Sequence, residues 1–600
     1  MKNYIKILFA AAAVSLTFAA CMDLEPLDPN KTQLTSENQQ MIIDGLYAKL
    51  YVSFVQTGQN GGGGNADIIT NDEGYSGFFR TLCVLNEFPT DAGWWTWRGD
   101  DGCSEMLMIS WTASNGFISK LYNRLNYGVT MSNHFLDLTE GTTDPEMIHK
   151  RAEVRFIRAL NYYHLLDMFG NVPFTVTIST QNPEQIDRTS LYNWLVDEIE
   201  NGHEGKTYNN HKTGQPLASY KVTGDANHGF LQDLYDKDET TIYRATKPAA
   251  NMLLARLYLN AEAYTGTPEW AKAEEAASRV IAKFPNPHPV YAQIFMGDNE
   301  KVAREEMVFV AAQDGINIRS YAGSQYTIAS CRNSKMNGCG SSDNNWGCWR
   351  SSPELVEKFG NFHGLTPAQI DALGGAYDEF DMPAIAGDDR AMFCAQNINP
   401  ADSTINEKHF AGIVPDNGDG FDSCWAICKW TNLYSSEFDA TLHPLNDGHA
   451  APQHDSKFMD TDVPIMRTAE AYLTRAEARL RQGNIPDALD DINVIRGRAH
   501  TTLFTSADLT MDEMLDEWLR EFYHEGRRRI DLIRFGQFVG PNVTRTWEGR
   551  GSTGTGKIKS FDTPDAWNTT VVPLDIHYAL YPIPETDVVA NENVIQNKGY

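Results

Sequence analysis

One stretch of the chain, residues 151–174, constrains the fold more than any other. Apolar side chains recur there at helical spacing and would line one helix face: Ala152, Phe156, Ala159, Tyr163 and Leu166. Arginines and aromatic rings would line the neighbouring face: Arg151, Arg155, Arg158, Tyr162 and Phe169. Gly170 can end the helix in a left-handed conformation, and Pro173 prevents its continuation. Because two adjacent faces are apolar or amphipathic, we expect this helix to be mostly buried in a bundle of helices.

The three arginines of this helix need partners, because an unpaired charge in a protein interior is costly. Ligand binding is one interpretation of Arg151, Arg155 and Arg158. Ion pairs and helix-end hydrogen bonds within the core are the other interpretation. We favour the second, because buried arginines are usually paired.

Further amphipathic segments predict a scaffold of helical hairpins. The predicted hairpins cover residues 36–56 with 117–138, 151–170 with 188–201, 246–283, and 466–498. The last two have the small-residue and aromatic spacing of tetratricopeptide hairpins, whose period is roughly 34 residues. Each hairpin can hide its apolar face only by stacking on another. We therefore predict a mainly α fold, in which hairpins that are separated in sequence form a discontinuous solenoid.

Two regions, residues 57–104 and 284–465, lack this periodicity and are rich in Gly, Asn and Asp. The first contains the glycine run Gly61–Gly64 and a cluster of aromatic residues. We predict that the first region is loop rather than helix and that the second is irregular. Irregular stretches of this length are usually functional or form a second subdomain. We therefore expect a large, loop-rich ligand-binding subdomain.

The first 20 residues have the features of a lipoprotein signal peptide. Lys2 and Lys6 precede an apolar run, Ile7–Phe18, that is too short to span a bilayer comfortably. The small residues before Cys21 resemble a lipobox, so we predict that Cys21 is acylated and becomes the new N-terminus. The alternative is an ordinary secretory signal followed by an incidental cysteine.

The predicted lipid would be the only membrane anchor. No later run is long and apolar enough for a membrane helix. The acidic residues 22–25 are similar to the signal by which some Gram-negative lipoproteins reach the cell surface. We therefore expect a lipid-anchored protein of the outer membrane that faces the exterior.

Composition disfavours several ligand classes. The net charge of −29 argues against nucleic-acid binding, because phosphates require a basic surface. Zinc is poorly supported, because there is no CxxC pair and no nearby HxxxH. No cofactor is predicted, although the acidic runs 298–300 and 460–462 are candidates for a structural Ca²⁺. Eight cysteines besides Cys21 remain, and their pairing cannot be deduced from the sequence: Cys83, Cys103, Cys331, Cys339, Cys348, Cys394, Cys424 and Cys428.

A late helix, residues 511–523, runs into a basic segment that contains Arg527–Arg529. The overall acidic charge disfavours a nucleic-acid role for these arginines. We expect them to pair with carboxylates such as Glu517, Glu521 and Asp531.

The chain resembles the SusD-like (RagB/SusD) family of nutrient-binding outer-membrane lipoproteins along nearly its whole length. The shared features occur in the same order: the lipobox and acidic start, the helix 151–174, the two hairpins, EWLREFYHEGRRRIDL at 517–532, YPIPET at 581–586 and QNKGY at 596–600. The resemblance implies one SusD-like domain over residues 21–600, with a tetratricopeptide scaffold and an irregular binding face. It also implies a non-enzymatic protein that delivers glycans to a SusC-like TonB-dependent transporter, on which it sits like a lid.

The irregular regions are most similar to the starch-binding member of that family. The matching segments are TNDEGYSGFFR at 70–80, NEFPTDAGWWTWRGD at 86–100, and two later pieces around 313–324 and 344–347. The resemblance implies a binding set of Asp72, Arg80, Trp95, Trp97, Asp100, Tyr321 and Trp346. Asp100 stands where the family pattern has an amide, so hydrogen bonding there would differ.

Sugar chemistry agrees with this set. A sugar ring has an apolar face that an aromatic side chain can cover, and a polar rim that Asp or Arg can bind. Trp95 and Trp97 are two residues apart, so in an extended segment they project to the same side. Tyr321 and Trp346 would complete an arc, which suits a curved α-glucan such as a maltooligosaccharide. The alternative is that these aromatic residues belong to the core.

We therefore predict a protein that captures starch or a related α-glucan. Another glycan, such as a fructan or a host oligosaccharide, is the first alternative. The second alternative is a secreted glycoside hydrolase, which would need two carboxylates at a set separation. Among 79 acidic residues such pairs occur by chance, so their presence does not support this alternative. A tetratricopeptide scaffold that binds only protein is the third alternative.

Overall fold

The computed structural model describes most of the chain: residues 36–58, 62, 64–70, 72–95, 102–220, 227–237, 243–332, 346–360, 382–394, 426–445, 458–545, 547 and 573–600. The predicted signal peptide, Cys21, Trp97 and Asp100 lie outside these residues. The chain divides into two compact units, residues 1–48 and 49–600. The described part of the first unit, residues 36–48, is helical.

The described residues are mainly helical, which confirms the predicted fold class. The helices of the first half are α1 (Ser36–Val52), α2 (Phe78–Glu87), α3 (Cys103–Met108), α4 (Gly116–Leu138), α5 (Pro145–Phe169), α6 (Arg188–Val196), α7 (Lys247–Leu259), α8 (Ala261–Thr265) and α9 (Trp270–Ile281). Those of the second half are α10 (Asn299–Val302), α11 (Ser324–Cys331), α12 (Pro353–Glu357), α13 (Met382–Ala386), α14 (Thr468–Arg481), α15 (Ile485–Arg498), α16 (Met511–Phe522), α17 (Arg528–Arg534) and α18 (Glu585–Ala590).

Short antiparallel strands join segments that are distant in sequence. They are β1 (Gly93–Trp95), β2 (Val172–Pro173), β3 (Gln185–Ile186), β4 (Met307–Ala311), β5 (Trp349–Ser351), β6 (Phe393–Cys394), β7 (Ala426–Ile427) and β8 (Val463–Arg467). One sheet has the order β1-β5-β7-β6, and β2 pairs with β3 and β4 with β8. In the first sheet Trp95 lies opposite Trp349, so the two irregular regions are joined by backbone hydrogen bonds.

The predicted central helix is α5. It begins earlier than predicted, because Asp144 caps its N-terminus and Pro145 occupies the first turn. It ends at Phe169, and Gly170 follows with φ of +72°. Every residue from 151 to 169 is buried, as the two apolar faces predicted.

The arginines of α5 form core ion pairs and hydrogen bonds, as we favoured. Arg155 and Arg158 each place a guanidinium nitrogen 2.8 Å from a carboxylate oxygen of Glu198. Arg151 donates to the carbonyl oxygen of Leu136, 2.6 Å away. Burial alone would raise the pKa of Glu198, but Arg155 and Arg158 hold that pKa well below its usual range.

The helices pack as neighbouring hairpins. Helix α4 lies close along α5, since a Cβ on Gly128 would come within 2.7 Å of the Asn161 side chain. The α7–α9 hairpin stacks on the α14–α15 hairpin, although some 190 residues separate them, and Arg479 and Glu274 form an ion pair of 2.8 Å across this contact. Such stacking of separated hairpins is what the discontinuous solenoid requires.

The prediction that residues 57–104 form only loop is wrong. Helix α2 lies inside this region, and all ten of its residues are buried. This helix is only ten residues long and lies between segments rich in Gly, Asn and Asp, which outweighed its own periodicity. Region 284–465 likewise contains α11 and β4, although the rest of its described part is largely irregular.

The prediction of the ion-pair partners of Arg527–Arg529 is only partly correct. Arg527 pairs with Asp531 at 3.1 Å, as predicted, and Arg528 pairs instead with Asp91 at 2.6 Å. Glu521 pairs with other arginines, Arg467 at 2.5 Å and Arg390 at 3.3 Å. Burial alone would raise the pKa of Glu521, but Arg498, Arg467 and Arg390 lower it to about 2. The second predicted carboxylate, Glu517, also binds other arginines: Arg390, Arg496 and Arg520.

No helix in the described ranges is both long enough and apolar enough to cross a membrane. Of the cysteines, Cys83 and Cys331 are buried, and the Cys331 sulfur lies 3.4 Å from Nδ1 of His524.

The far end of α2 is fixed by a buried carboxylate. Oε1 of Glu87 accepts the backbone N–H groups of Gly526 at 2.8 Å and of Arg527 at 3.0 Å. Burial raises the pKa of Glu87 to about 7, and the two N–H groups oppose that rise. Glu87 is therefore close to half-protonated near neutral pH.

We expect Glu87→Gln to change the pH dependence of stability. The folded-state pKa is raised above that of an unfolded glutamate, so the stability that this group contributes is complete below about pH 4.3 and is lost as pH rises through the folded value. Gln keeps the acceptor oxygen but does not ionise. As pH rises from 5 to 8, the free energy of unfolding of Glu87→Gln should therefore increase relative to that of wild type by up to about 3 kcal/mol.

Urea unfolding at several pH values measures this difference. Glu105→Gln, at an exposed carboxylate, is the matched control and should follow the wild-type curve. A difference between Glu87→Gln and wild type that stays constant with pH would contradict the assignment.

Candidate functional site

The first wall of the candidate site is the turn that precedes α2. Asp72 caps the single-turn helix Glu73–Ser76, and its Oδ1 accepts the backbone N–H of Gly74 at 3.0 Å. Two helical turns further on, Arg80 reaches back and places Nη1 2.6 Å from Oδ2 of Asp72. The Asp72 side chain is 47% exposed and that of Arg80 is 6% exposed. The structure thus brings two predicted residues together, with Asp72 facing solvent.

The second wall is the loop that leads into α11. Gln313 closes this loop, because its Nε2 donates to Oγ of Ser324 at 2.6 Å and its Oε1 accepts the backbone N–H of Ser324 at 3.0 Å. Tyr321 lies within the loop and is half-buried. Its ring packs against Phe458, with 5.3 Å between the ring centroids.

One carboxylate joins the two walls. Oε2 of Glu73 accepts the backbone N–H of Tyr321 at 3.2 Å, and Oε1 accepts the hydroxyl of Ser320 at 3.2 Å. Thr57 donates to the same carboxylate. Because Asp72 precedes Glu73 in the chain, this contact also keeps Asp72 close to Tyr321.

Two glycines permit the walls to approach so closely. A Cβ on Gly74 would lie 2.6 Å from the carbonyl oxygen of Tyr321, and a Cβ on Gly77 would lie 2.0 Å from the Cβ of Ala322. Any larger residue would force the turn and the loop apart.

Trp346 reaches the site from a third segment. Its backbone N–H donates to the carbonyl oxygen of Ala329 in α11 at 2.8 Å, and its side chain is half-buried. The ring lies 6.4 Å from that of Tyr326, also in α11. The guanidinium of Arg80 lies over the Tyr326 ring, 4.9 Å from its centroid. Trp346 and Arg80 therefore meet on the same buried ring.

The structure corrects the prediction for Trp95. This residue is 2% exposed, and its ring stacks on Phe88 at 5.3 Å and on Tyr326 at 5.7 Å. It therefore has no ring face left for a sugar and belongs to the core beneath the site. The two-residue spacing of Trp95 and Trp97 indicated a shared side but not which side is buried. Trp97 and Asp100 lie outside the described residues, so their roles stay predictions.

Three residues of this arrangement were missed by the sequence reasoning. Glu73 and Tyr75 lie inside the matched segment 70–80, and Tyr326 lies five residues after Tyr321. The Tyr75 ring packs 4.4 Å from that of Phe117, and the guanidinium of Arg80 lies 5.5 Å from its centroid. Nothing in the sequence marks these residues, because their roles depend on contacts across the two walls.

No metal centre is formed by the described residues, in which no three His, Cys, Asp or Glu side chains gather around one point. In the runs that we considered for Ca²⁺, Asp298 accepts the backbone N–H of Ser435 at 2.8 Å, and Asp460 accepts the hydroxyl of Tyr434 at 3.0 Å. A structural Ca²⁺ there stays a prediction. At the site itself Arg80 pairs with Asp72, and the carboxylate of Glu73 accepts hydrogen bonds from Ser320 and Tyr321.

Comparison with known proteins gives consistent matches. The model of the SusD family (SusD_RagB) matches residues 436–600. The starch-binding protein SusD of Bacteroides thetaiotaomicron is 35% identical over 624 aligned positions, which cover 100% of this chain and 99% of that protein.

Solved structures share the fold. A SusD-like carbohydrate-binding protein from Bacteroides fragilis has a TM-score of 0.61 at 16% identity, with 94% of this chain and 99% of that chain covered. Surface glycan-binding protein A from Bacteroides thetaiotaomicron, in complex with laminarihexaose, has a TM-score of 0.57 at 17% identity, with 92% and 98% covered. At these identities the likeness concerns the fold alone.

We expect Gly77→Ala to destabilise the protein by about 1–3 kcal/mol, because the added methyl overpacks the contact between the walls. Ala322→Gly removes the atom that it would meet, so the double variant Gly77→Ala/Ala322→Gly should recover part of the loss. Thermal melts of the three variants measure this. If the double variant loses more stability than the two single variants lose together, the direct contact is contradicted.

Proposed function

The chain belongs to the SusD family, and we propose that it captures starch or related α-glucan oligosaccharides at the cell surface and delivers them to a SusC-like TonB-dependent transporter. The starch-binding relative, at 35% identity along the whole chain, supports the α-glucan as ligand. This relative and the two solved structures are described as binding proteins. We therefore regard the protein as non-enzymatic.

The observation that carries the proposal is the convergence of four residues from three segments. The three segments contribute Asp72 with Arg80, then Tyr321, then Trp346, and they span 274 residues of the sequence. Glu73 connects the first segment to Tyr321, and Tyr326 connects Arg80 to Trp346. Together they offer two half-buried aromatic rings and one balanced ion pair. The rings can cover the apolar face of a glucose unit, and the ion pair can bind its hydroxyl groups.

Another glycan is the second candidate. The neighbour in complex with laminarihexaose has the same fold, so the fold by itself does not select starch. Selection depends on the shape of the walls, and an arc formed by Tyr321, Trp346 and the predicted Trp97 favours a curved chain.

A retardation gel with a panel of polysaccharides tests the proposal. We expect amylopectin to slow the protein strongly, and inulin, laminarin and a host mucin glycan to have little effect. Retardation by one of the other polysaccharides alone would replace the α-glucan assignment. Release of reducing sugar from amylopectin would contradict a binding role, and the absence of any retardation would favour a scaffold that binds only protein.

The binding residues should be separable from the scaffold. Removal of a central Trp from an interface typically costs about 2 kcal/mol or more, which is roughly thirtyfold in affinity. We expect Trp97→Ala and Trp346→Ala each to show this loss for maltoheptaose by calorimetry. Asp72→Ala should weaken the binding free energy by about 1–3 kcal/mol, because a sugar hydroxyl would lose a charged hydrogen-bond acceptor.

The matched control is Trp270→Ala. Trp270 is also half-buried, but it lies at the start of α9 in the scaffold. The Trp270→Ala variant should bind maltoheptaose with the same affinity as wild type. Unchanged affinity in Trp346→Ala, with normal melting, would remove Trp346 from the site.

We also propose that Cys21 carries the lipid that anchors the protein to the outer membrane. Cys21→Ala should release the protein from the membrane fraction, because a lipid would be its anchor. Fractionation and surface labelling of whole cells measure this. A variant that still fractionates with the membrane and labels at the surface would contradict the lipobox assignment.

A further inference from the structure

We propose that Tyr326 is a positioning residue of the glycan site, which sets the places of Arg80 and Trp346 without touching the glycan. The inference rests on the proposed function. Tyr326 lies in α11 and is 0% exposed, so no ligand can reach it. Its influence on binding must therefore act through the residues that its ring contacts.

The first of these contacts is with Arg80. The guanidinium lies 4.9 Å from the Tyr326 ring centroid, within the range in which a cation is attracted to an aromatic face. Arg80 is buried apart from the end that meets Asp72, so the ring is part of the surface on which the guanidinium rests. A long arginine side chain has many rotamers, and this contact restricts it to those that reach Asp72.

The second contact is with Trp346. The two ring centroids are 6.4 Å apart with a tilt of 59°, and Trp346 is half-buried, so one part of its surface rests on Tyr326 while another part faces solvent. The Tyr326 ring is itself held by Trp95 at 5.7 Å and by Trp349 at 6.0 Å, on neighbouring strands β1 and β5. The core aromatic rings thus fix Tyr326, and Tyr326 fixes Arg80 of the first wall and Trp346 of the third segment.

This arrangement explains why Trp95 lies in the core. Its ring stacks nearly parallel to Tyr326, with an angle of 19° between the planes. Trp95 therefore supports the ring on which Arg80 and Trp346 rest, one layer beneath the glycan surface. The aromatic ring of residue 326, rather than its hydroxyl group, is the feature that the proposal requires.

The test compares Tyr326→Phe with Tyr326→Leu in the full chain. Calorimetry with maltoheptaose, well below the melting temperature of each variant, gives the affinity. We expect Tyr326→Leu to weaken binding about tenfold or more and Tyr326→Phe to change it by less than about threefold. If Tyr326→Leu does not fold, Tyr326→Met takes its place, because it also removes the ring but keeps more of the volume.

The matched control is Tyr264→Leu. Tyr264 is also a buried tyrosine, 5% exposed, with the Arg188 guanidinium 5.1 Å from its ring centroid, but it lies in α8 of the scaffold. Tyr264→Leu should lower the melting temperature and leave the affinity unchanged. This separates a loss of general stability from a loss of positioning.

A double-mutant cycle adds a second readout. If Tyr326 acts partly through Arg80, the affinity loss of Tyr326→Leu should be smaller in an Arg80→Ala background than in wild type. Equal losses in both backgrounds would overturn the coupling. A folded variant without the ring that binds like wild type, or a Tyr326→Phe variant as weak as Tyr326→Leu, would overturn the proposal. Wild-type protein that binds no polysaccharide would instead contradict the proposed function on which it rests.

Discussion

The scaffold depends on the pairing of Glu198 with Arg155 and Arg158. Helix α5 is buried along most of its length, so its arginines could not lie there without a counter-charge. Glu198 lies in the π-helical turn Asp197–Asn201 that follows α6, and this turn directs its carboxylate at the middle of α5. Loss of one member of such a pair typically costs about 3–5 kcal/mol, because a buried charge is left alone. The packing of the other helices around α5 requires this pair to be intact.

Helix α2 connects that scaffold to the site. At its C-terminal end, Glu87 binds the backbone of residues 526 and 527, next to the network of buried arginines and carboxylates around α16 and α17. At its N-terminal end, Arg80 meets Asp72 in the exposed turn. Because all ten residues of α2 are buried, the helix cannot shift without disturbing the core at both ends. The geometry of the first wall is thus set by the scaffold, and Glu73 joins the second wall to it through Ser320 and Tyr321.

Features that depend on interactions between near neighbours in the sequence could be predicted, and features that depend on contacts between distant residues could not. Helices α14 and α15 were located within two residues, because small and aromatic side chains recur along them at local helical spacing. Helix α2 was missed, because it is only ten residues long and is flanked by segments whose Gly, Asn and Asp content is typical of loops. The partner of Arg528, Asp91, is 437 residues away, and no local pattern identifies it. The resemblance to a family singled out Asp72, Arg80, Tyr321 and Trp346, whose role in binding stays a prediction, and it also singled out Trp95, whose ring the structure buries. Whether Trp95 is exposed or buried depends on which face of the β1–β5 sheet the core covers, which is a property of the folded chain.

The charge of the protein and the chemistry of the site select the same kind of ligand. A net charge of −29 repels acidic glycans at distances up to about the Debye length, roughly 8 Å at physiological salt. Uncharged glycans are neither attracted nor repelled at this range, so their binding must come from contacts within the site. There, Asp72 is paired with Arg80, the carboxylate of Glu73 accepts hydrogen bonds from Ser320 and Tyr321, and the rings of Tyr321 and Trp346 supply apolar surface. Such a site favours neutral sugar rings by stacking and hydrogen bonding, while the rest of the surface disfavours charged competitors. Under the proposed function, selection of a neutral glycan over an acidic one would therefore draw on two separate features of the chain, its overall acidity and the aromatic surface of the site.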